Sequence, residues 1–217
     1  MAGLPTLLSK TLSGGALQQL SATLGADEQT TRHAALAALP VVLGAMRQNA
    51  TDADGAKSLA DALEKDHDGT LLDHLGSFIG GLGGPASTGA AAAFGVPGVD
   101  GRTTNGAGII SHIFGRRLGA VEDGVASATG LNRAQVTQLL VALAPIVMAY
   151  LGREKRERDL GSGGLSDLLG RETEAAQAAT PNDLLGSLGK LLDRDGDGSS
   201  LDDVAGMLGG FLGKRSS

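Results

Sequence analysis

The order of apolar and polar positions occurs twice along the chain. Residues 20–46 (LSATLGADEQTTRHAALAALPVVLGAM) align without a gap to residues 125–151 (VASATGLNRAQVTQLLVALAPIVMAYL). In both copies the apolar residues recur at intervals of three and four, which is the period of a helix, and no stretch alternates with period two. The pattern predicts an all-α protein made of duplicated helical units related by a pseudo-twofold axis.

Each unit contains signals for the end of one helix and the start of the next. Gly25 and Gly130 occupy matching positions, and glycine is typical of the left-handed residue that follows a helix. Asp27 and Asn132 follow them, and their side-chain oxygens are suited to cap the next helix. We therefore predict a short helix, a glycine turn and a longer helix in both copies.

The longer helix of each unit contains a proline, Pro40 in the first and Pro145 in the second. Proline removes one backbone hydrogen bond from a helix and clashes with the preceding turn. We therefore expect each helix to be kinked or divided at this position.

A shorter theme, in which a glycine and a small polar residue precede a brief apolar helix, recurs at 68–76, 163–170 and 197–204. Residues 80–108 are rich in Gly, Ala and Pro, which predicts a flexible connector. The predicted organisation is a first helical unit at 1–79, the connector at 80–108, a second unit at 109–170, a linker at 171–182 that is helical until Pro181, and a C-terminal helical hairpin at 183–217.

These segments carry a family resemblance. The units 20–49 and 125–152, followed by DHDGTLLDHLG and by NGAGIISHIFG, resemble the bacterial family called domain of unknown function 937. The resemblance covers roughly residues 16–170. It implies a helical bacterial protein and no particular activity.

Composition narrows the classes of function. The 217 residues include no Cys, aromatic residues make up 2%, and the net charge is −6. The lack of Cys excludes disulfides and thiolate chemistry, and an acidic chain with few rings is a poor binder of nucleic acid. The longest apolar run, residues 139–151, is too short to span a bilayer, and no targeting segment is visible, so we expect a buried core helix and a cytoplasmic protein.

The clearest candidate site is the acidic segment 193–203 (DRDGDGSSLDD). Carboxylates at its first, third and fifth positions, followed by Gly, match the opening of an EF-hand calcium loop. The twelfth position is Val204 instead of the usual Glu, which predicts weak coordination. The candidate calcium ligands are Asp193, Asp195, Asp197, Ser199, Asp202 and Asp203.

The segment 64–73 (EKDHDGTLLD) has the same layout and also lacks the final Glu. It is the secondary candidate calcium site. Its candidate ligands are Glu64, Asp66, Asp68, Thr70 and Asp73.

A metal-independent interpretation of both loops is that they cap helices. The pairs Thr70 with Asp73 and Ser199 with Asp202 have the spacing of a capping box, with Asp in place of Glu. Acidic residues also favour the positive end of a helix dipole. On this interpretation the loops end and begin helices without any metal.

The other polar residues match no known motif. His67 and His74 flank the segment 64–73 at a spacing that zinc sites do not use, so we interpret both as solvent-exposed turn residues. The basic run 153–158 (REKRER) is interpreted as the solvated end of a helix, and a contact with nucleic acid or with anionic lipid is the less favoured interpretation.

Two functions follow from these patterns. The first is a non-enzymatic helical protein that binds calcium weakly and thereby controls association with itself or with a protein partner, through the apolar C-terminal hairpin that includes residues 184–212. The second is a metal-independent structural or scaffolding module.

Overall fold

The structure, a computed structural model, describes residues 3–82 and 102–181. Within these residues the chain is helical and contains no strand, which confirms the predicted all-α class. The predicted C-terminal hairpin and most of the connector 80–108 lie outside the described residues. The helices of the described residues are α1 (Leu4–Thr11), α2 (Gly15–Leu24), α3 (Glu28–Asn49), α4 (Ala53–Lys65), α5 (Thr70–Asp73), α6 (Leu75–Leu82), α7 (Gly106–Phe114), α8 (Leu118–Thr129), α9 (Arg133–Glu157) and α10 (Ser162–Ala179), and a 3₁₀ turn lies at Gly115–Arg117.

The longest helices among the described residues, α3 and α9, pack against each other and form the centre of the core. On α3 the core face is built from small side chains, since Ala34, Ala35, Ala37 and Ala38 are all fully buried. By length and composition α9 could cross a membrane, but 72% of its most apolar window is buried among the other helices. This burial agrees with the prediction of a core helix.

The predicted helix boundaries in the two units are confirmed. Gly25 and Gly130 follow α2 and α8 with φ of 64° and 78°, in the left-handed region. The Asp27 carboxylate accepts from the Thr30 amide at 2.9 Å, and Asn132 forms a full capping box at the start of α9. The pseudo-twofold relation between the two units stays a prediction.

The prolines do not divide their helices, because α3 and α9 each run without a break past Pro40 and Pro145. A helical proline has no amide for the carbonyl four residues earlier. For Pro40 this carbonyl is that of Leu36, and the Thr180 hydroxyl lies 3.0 Å from its oxygen. Thr180 directly follows α10, and its hydroxyl therefore lies within hydrogen-bond distance both of the carbonyl that the proline leaves free and of the Ala176 carbonyl, at 2.8 Å.

The corresponding carbonyl before Pro145 belongs to Val141, and α7 begins directly against it. A Cβ built on Gly106 would lie 1.9 Å from the Val141 oxygen. Only glycine fits at this position. The freed carbonyl of α9 therefore faces the first turn of α7.

The last described helix, α10, packs mainly on α3 and also on α1 and α4. Leu165, Leu168, Leu169 and Ala176 are its buried apolar residues. The helix begins at Ser162 and continues to Ala179, so residues 171–179 of the predicted linker are part of it.

We predict that Gly106→Ala destabilises the fold by about 3 kcal/mol, because its methyl group would push α7 away from α9. The matched control is Gly119→Ala on α8, where a Cβ would meet no atom within 4 Å. This control should be neutral or stabilising by about 0.5–1 kcal/mol, since alanine favours a helix over glycine. Urea unfolding followed by circular dichroism measures both, and equal stabilities of the two variants would contradict the proposed backbone contact.

Candidate functional site

The segment between α4 and α5 lies against the C-terminal half of α9. A Cβ at Gly152 of α9 would lie 1.7 Å from the His67 carbonyl oxygen, so the two backbones touch. Gly69 has φ of 89°, and a Cβ there would lie 2.8 Å from the Cβ of Arg153. Glycines on both sides of the contact therefore allow the close approach.

Two arginines of α9 bind the backbone of this segment. Arg156 donates from Nη1 to the Asp68 carbonyl at 3.0 Å and from Nη2 to the Glu64 carbonyl at 2.8 Å. Arg153 donates from Nη2 to the Gly69 carbonyl at 2.9 Å. Hydrogen bonds from a charged donor are stronger than neutral ones, so these contacts fix the path of the segment. We call the segment 64–73 together with Arg153, Lys155 and Arg156 the acid–base clasp.

The carboxylates of the acid–base clasp each face a cation. The closest ion pairs are Asp73 with Arg153 at 2.7 Å and Glu64 with Lys155 at 3.1 Å. Looser pairs join Asp68 to Arg156 at 3.8 Å and Asp66 to Arg102 at 3.9 Å. The cations come from α9 and from the residues before α7, which are distant in sequence.

The carboxylates among the five predicted secondary calcium ligands are thus paired with cations of the same chain, and calcium binding by this segment stays a prediction. Within residues 3–82 and 102–181 there is no group of three or more His, Asp or Glu side chains placed to hold a metal ion. The primary candidate ligands in segment 193–203 lie outside the described residues.

The prediction that Thr70 caps α5 is wrong. The residue before this helix is Gly69, and no side-chain cap bond forms there. Instead the Asp68 carboxylate accepts from the Thr70 amide at 2.9 Å and from the Thr70 hydroxyl. These bonds from Thr70 hold the pKa of Asp68 below its usual value, and Arg156 adds to the effect.

The interpretation of His67 as a solvent-exposed residue is also wrong, whereas His74 is exposed. His67 is only 3% exposed, and its Nδ1 has no hydrogen-bond partner. Burial lowers the pKa of His67 to about 4, although Asp66 and Asp68 oppose the shift. The imidazole is therefore neutral at pH 7 and acts as a buried packing residue.

The basic run 153–158 is not simply a solvated helix end. Glu154 is buried and pairs with Arg158 one turn later, while the Lys155 side chain is 15% exposed. Sequence reasoning placed these charges on the correct helix but did not identify the acidic segment that they bind.

A second buried polar cluster was missed by sequence reasoning. The Glu172 carboxylate of α10 accepts from the Tyr150 hydroxyl at 2.7 Å and from the Leu4 amide at 2.8 Å. Burial is the main cause of a raised pKa for Tyr150, and the Glu172 contact adds to it. A tyrosine within the longest apolar run was the one available signal, because a buried hydroxyl needs a polar partner.

Comparison with known proteins places this chain in a family. Residues 6–154 match the model of a family described as bacterial protein of unknown function, DUF937, and the chain belongs to that family. A search of curated proteins and a search of solved structures each gave no match.

We predict that His67 makes the free energy of unfolding fall as the pH is lowered, at pH values that are still higher than the pKa values of carboxylates. The pKa of His67 is about 4 in the folded chain and 6.5 as its ordinary value, so the unfolded chain binds the extra proton first as the pH falls. The free energy of unfolding should therefore decrease by about 2 kcal/mol between pH 7.5 and pH 5.

Urea unfolding of the wild type and of His67→Gln at these two pH values measures the effect. Glutamine does not titrate, so this part of the pH dependence should disappear in the variant. The same loss of stability in both proteins would show that His67 is not its source.

Proposed function

We propose that this DUF937 protein is a metal-independent structural module, in which the acidic segment 64–73 binds α9 and thereby holds α4 and α5 in place against it. The observation that carries this proposal is the acid–base clasp, whose arginines and lysine bind the segment at several points. The proposed role is non-enzymatic: the module presents a rigid helical surface to which other proteins bind.

The arginines occupy the role that a calcium ion has in an EF-hand loop. Calcium in such a loop is bound by carboxylates and by a backbone carbonyl. In the clasp, carbonyls of Glu64, Asp68 and Gly69 accept from Arg153 and Arg156. The negative charge of the segment is therefore balanced by cations that belong to the same chain.

Other buried polar groups also join helices, which supports a structural role. Glu172 joins α10 to α1 and α9, and Thr180 follows α10 and reaches α3. The Gln135 side chain donates to the Leu24 carbonyl at 2.8 Å, so it joins the start of α9 to the end of α2. Each of these groups fixes the position of one helix relative to another.

A second candidate function is calcium-controlled association through the segment 193–203. Its support is the spacing of Asp193, Asp195 and Asp197 in the sequence. The proposed partners are a second copy or another protein, bound through the C-terminal hairpin, and the proposed location is the cytoplasm.

We predict that Arg156→Gln lowers the free energy of unfolding by about 2 kcal/mol, because two carbonyls lose a charged donor. The matched control is Lys57→Gln, which removes an exposed ion pair to Asp61 at 3.4 Å within α4. Such exposed pairs contribute about 0.3–0.5 kcal/mol, so the control should change little. Urea unfolding at moderate salt compares the variants, and equal effects would contradict a structural role for the clasp.

Calcium titration separates the two candidate functions. For the structural module, the melting temperature of the metal-stripped protein should be the same with calcium and with chelator. An increase with calcium that Asp195→Ala removes would favour the second candidate. An increase that Asp68→Asn removes instead would show that the segment 64–73 binds metal and would overturn the proposed role of the clasp.

A further inference from the structure

We propose that Asn105 is a site of spontaneous deamidation, at which the reaction is blocked while α7 is docked on α9 and becomes possible when α7 detaches. The products carry aspartate or isoaspartate at position 105. This inference goes beyond the structural module proposed above and involves neither a metal nor a second copy. It rests on the backbone geometry at the start of α7.

Two separate requirements of the fold place a reactive pair of residues, Asn105 and Gly106, next to each other. Asn105 caps α7, because its Oδ1 accepts from the Gly108 amide at 3.0 Å. Gly106 is required because a Cβ there would lie 1.9 Å from the Val141 carbonyl oxygen. Elsewhere in the 217 residues no Asn is followed by Gly. The cap and the close contact with α9 therefore create the one Asn-Gly pair of the chain.

An Asn-Gly pair deamidates without an enzyme, because glycine has no side chain to shield its amide nitrogen. The Gly106 nitrogen attacks Cγ of Asn105, and the new bond between these two atoms closes a five-membered succinimide ring. The bond from Cγ to Nδ2 breaks, and ammonia leaves with the proton of the Gly106 amide. Water then opens the ring at either carbonyl. One opening gives aspartate, and the other gives isoaspartate, in which the main chain runs through the former side chain.

The backbone conformation of Asn105 keeps the two reacting atoms apart. The Cβ atom and the backbone nitrogen of any L-residue are separated by about 120° around its Cα–C bond. Since ψ of Asn105 is 69°, the Gly106 nitrogen lies on the side of this bond opposite to Cβ. Ring closure needs this nitrogen on the same side as Cβ, so ψ must rotate by about half a turn. The docked conformation is therefore unreactive.

Three hydrogen bonds oppose this rotation. The Asn105 carbonyl accepts from the Ile109 amide at 3.1 Å, and the Asn105 side chain is held in the cap of the helix. The Gly106 amide donates to the Thr104 carbonyl at 2.9 Å. Rotation of ψ also moves Gly106 out of its contact with α9. The reaction therefore requires the first turn of α7 to open and to leave α9.

The two products differ in whether α7 can dock again. Aspartate keeps a side-chain oxygen that accepts from the Gly108 amide, so it caps the helix as asparagine does. Isoaspartate adds one carbon to the main chain between Cα of residue 105 and the Gly106 nitrogen. Because Gly106 touches the Val141 carbonyl without room for a methyl group, this added carbon displaces Gly106 from its place on α9. Isoaspartate formation therefore converts a transient opening of α7 into a permanent one.

Deamidation is measured in the tryptic peptide 103–116, which contains Asn105 and no other asparagine. Mass spectrometry detects the conversion of amide to acid after incubation of the full-length protein at mildly alkaline pH. We expect the reaction to be about 100-fold slower in the folded chain than in concentrated guanidinium chloride, because its rate follows the population of the open form. The matched control is Asn132, which caps α9 but precedes Arg133, and which should react slowly in both conditions.

Two core variants show which opening controls the reaction. Ile110 of α7 is 3% exposed, and Ile110→Ala weakens the docking of α7, so it should raise the rate in the folded chain about tenfold or more. Leu165→Ala removes a buried side chain of α10, which packs mainly on α3, and should leave the rate nearly unchanged. If Ile110→Ala does not fold, Ile110→Val takes its place and should raise the rate about threefold.

Faster deamidation in the Ile110 variant than in the wild type and in Leu165→Ala supports the proposal. Equal rates in the folded and unfolded wild type, absence of the reaction in guanidinium chloride, or equal rates in the two core variants would each overturn it.

The effect of isoaspartate is read by hydrogen exchange on refolded, aged protein, since peptides with isoaspartate and with aspartate separate by chromatography. The amides of α7 should lose protection in chains with isoaspartate and keep it in chains with aspartate and in Asn105→Asp. Equal protection in all three would overturn the permanent opening of α7.

Discussion

The structure depends on glycines at which the backbone of one element touches the backbone of another. A Cβ at Gly55, Gly106 or Gly152 would lie 1.8, 1.9 or 1.7 Å from a carbonyl oxygen of a neighbouring element. With aromatic residues at only 2% of the chain, few large side chains are present to fill wide gaps between helices. The helices must therefore approach closely, and fully buried alanines on α3 serve the same purpose.

Closely packed helices bury polar backbone groups, and these groups then need hydrogen-bond partners within the protein. A buried carbonyl without a donor is unfavourable, and each proline in a helix leaves one carbonyl free. On α3 the hydroxyl of Thr180 reaches this carbonyl, and on α9 the freed carbonyl faces Gly106. The positions of α7 and α10 on the core are thus linked to Pro40 and Pro145.

The local features could be predicted from the sequence because their signals lie within a few residues of each other. Gly25 and Asp27, or Gly130 and Asn132, specify the end of one helix and the start of the next without reference to the rest of the chain. The contact of Arg156 with the carbonyls of Glu64 and Asp68 joins residues about ninety positions apart. No periodicity or spacing encodes such a contact, so the partners of the acidic segment could not be predicted. The burial of His67 depends on the same contact with α9 and was missed for the same reason.

The clasp also shows why an acidic loop pattern does not identify its cation. Carboxylates at alternate positions repel one another, and any cation that reaches them relieves the repulsion. A guanidinium carried by α9 is already held close to segment 64–73 by the packing of Gly152, whereas a free ion must be taken from water. The arginine is therefore favoured wherever the fold places it within reach. The spacing of acidic residues along a segment consequently does not identify the cation that balances them, because that cation can come from residues distant in sequence, as it does for segment 64–73.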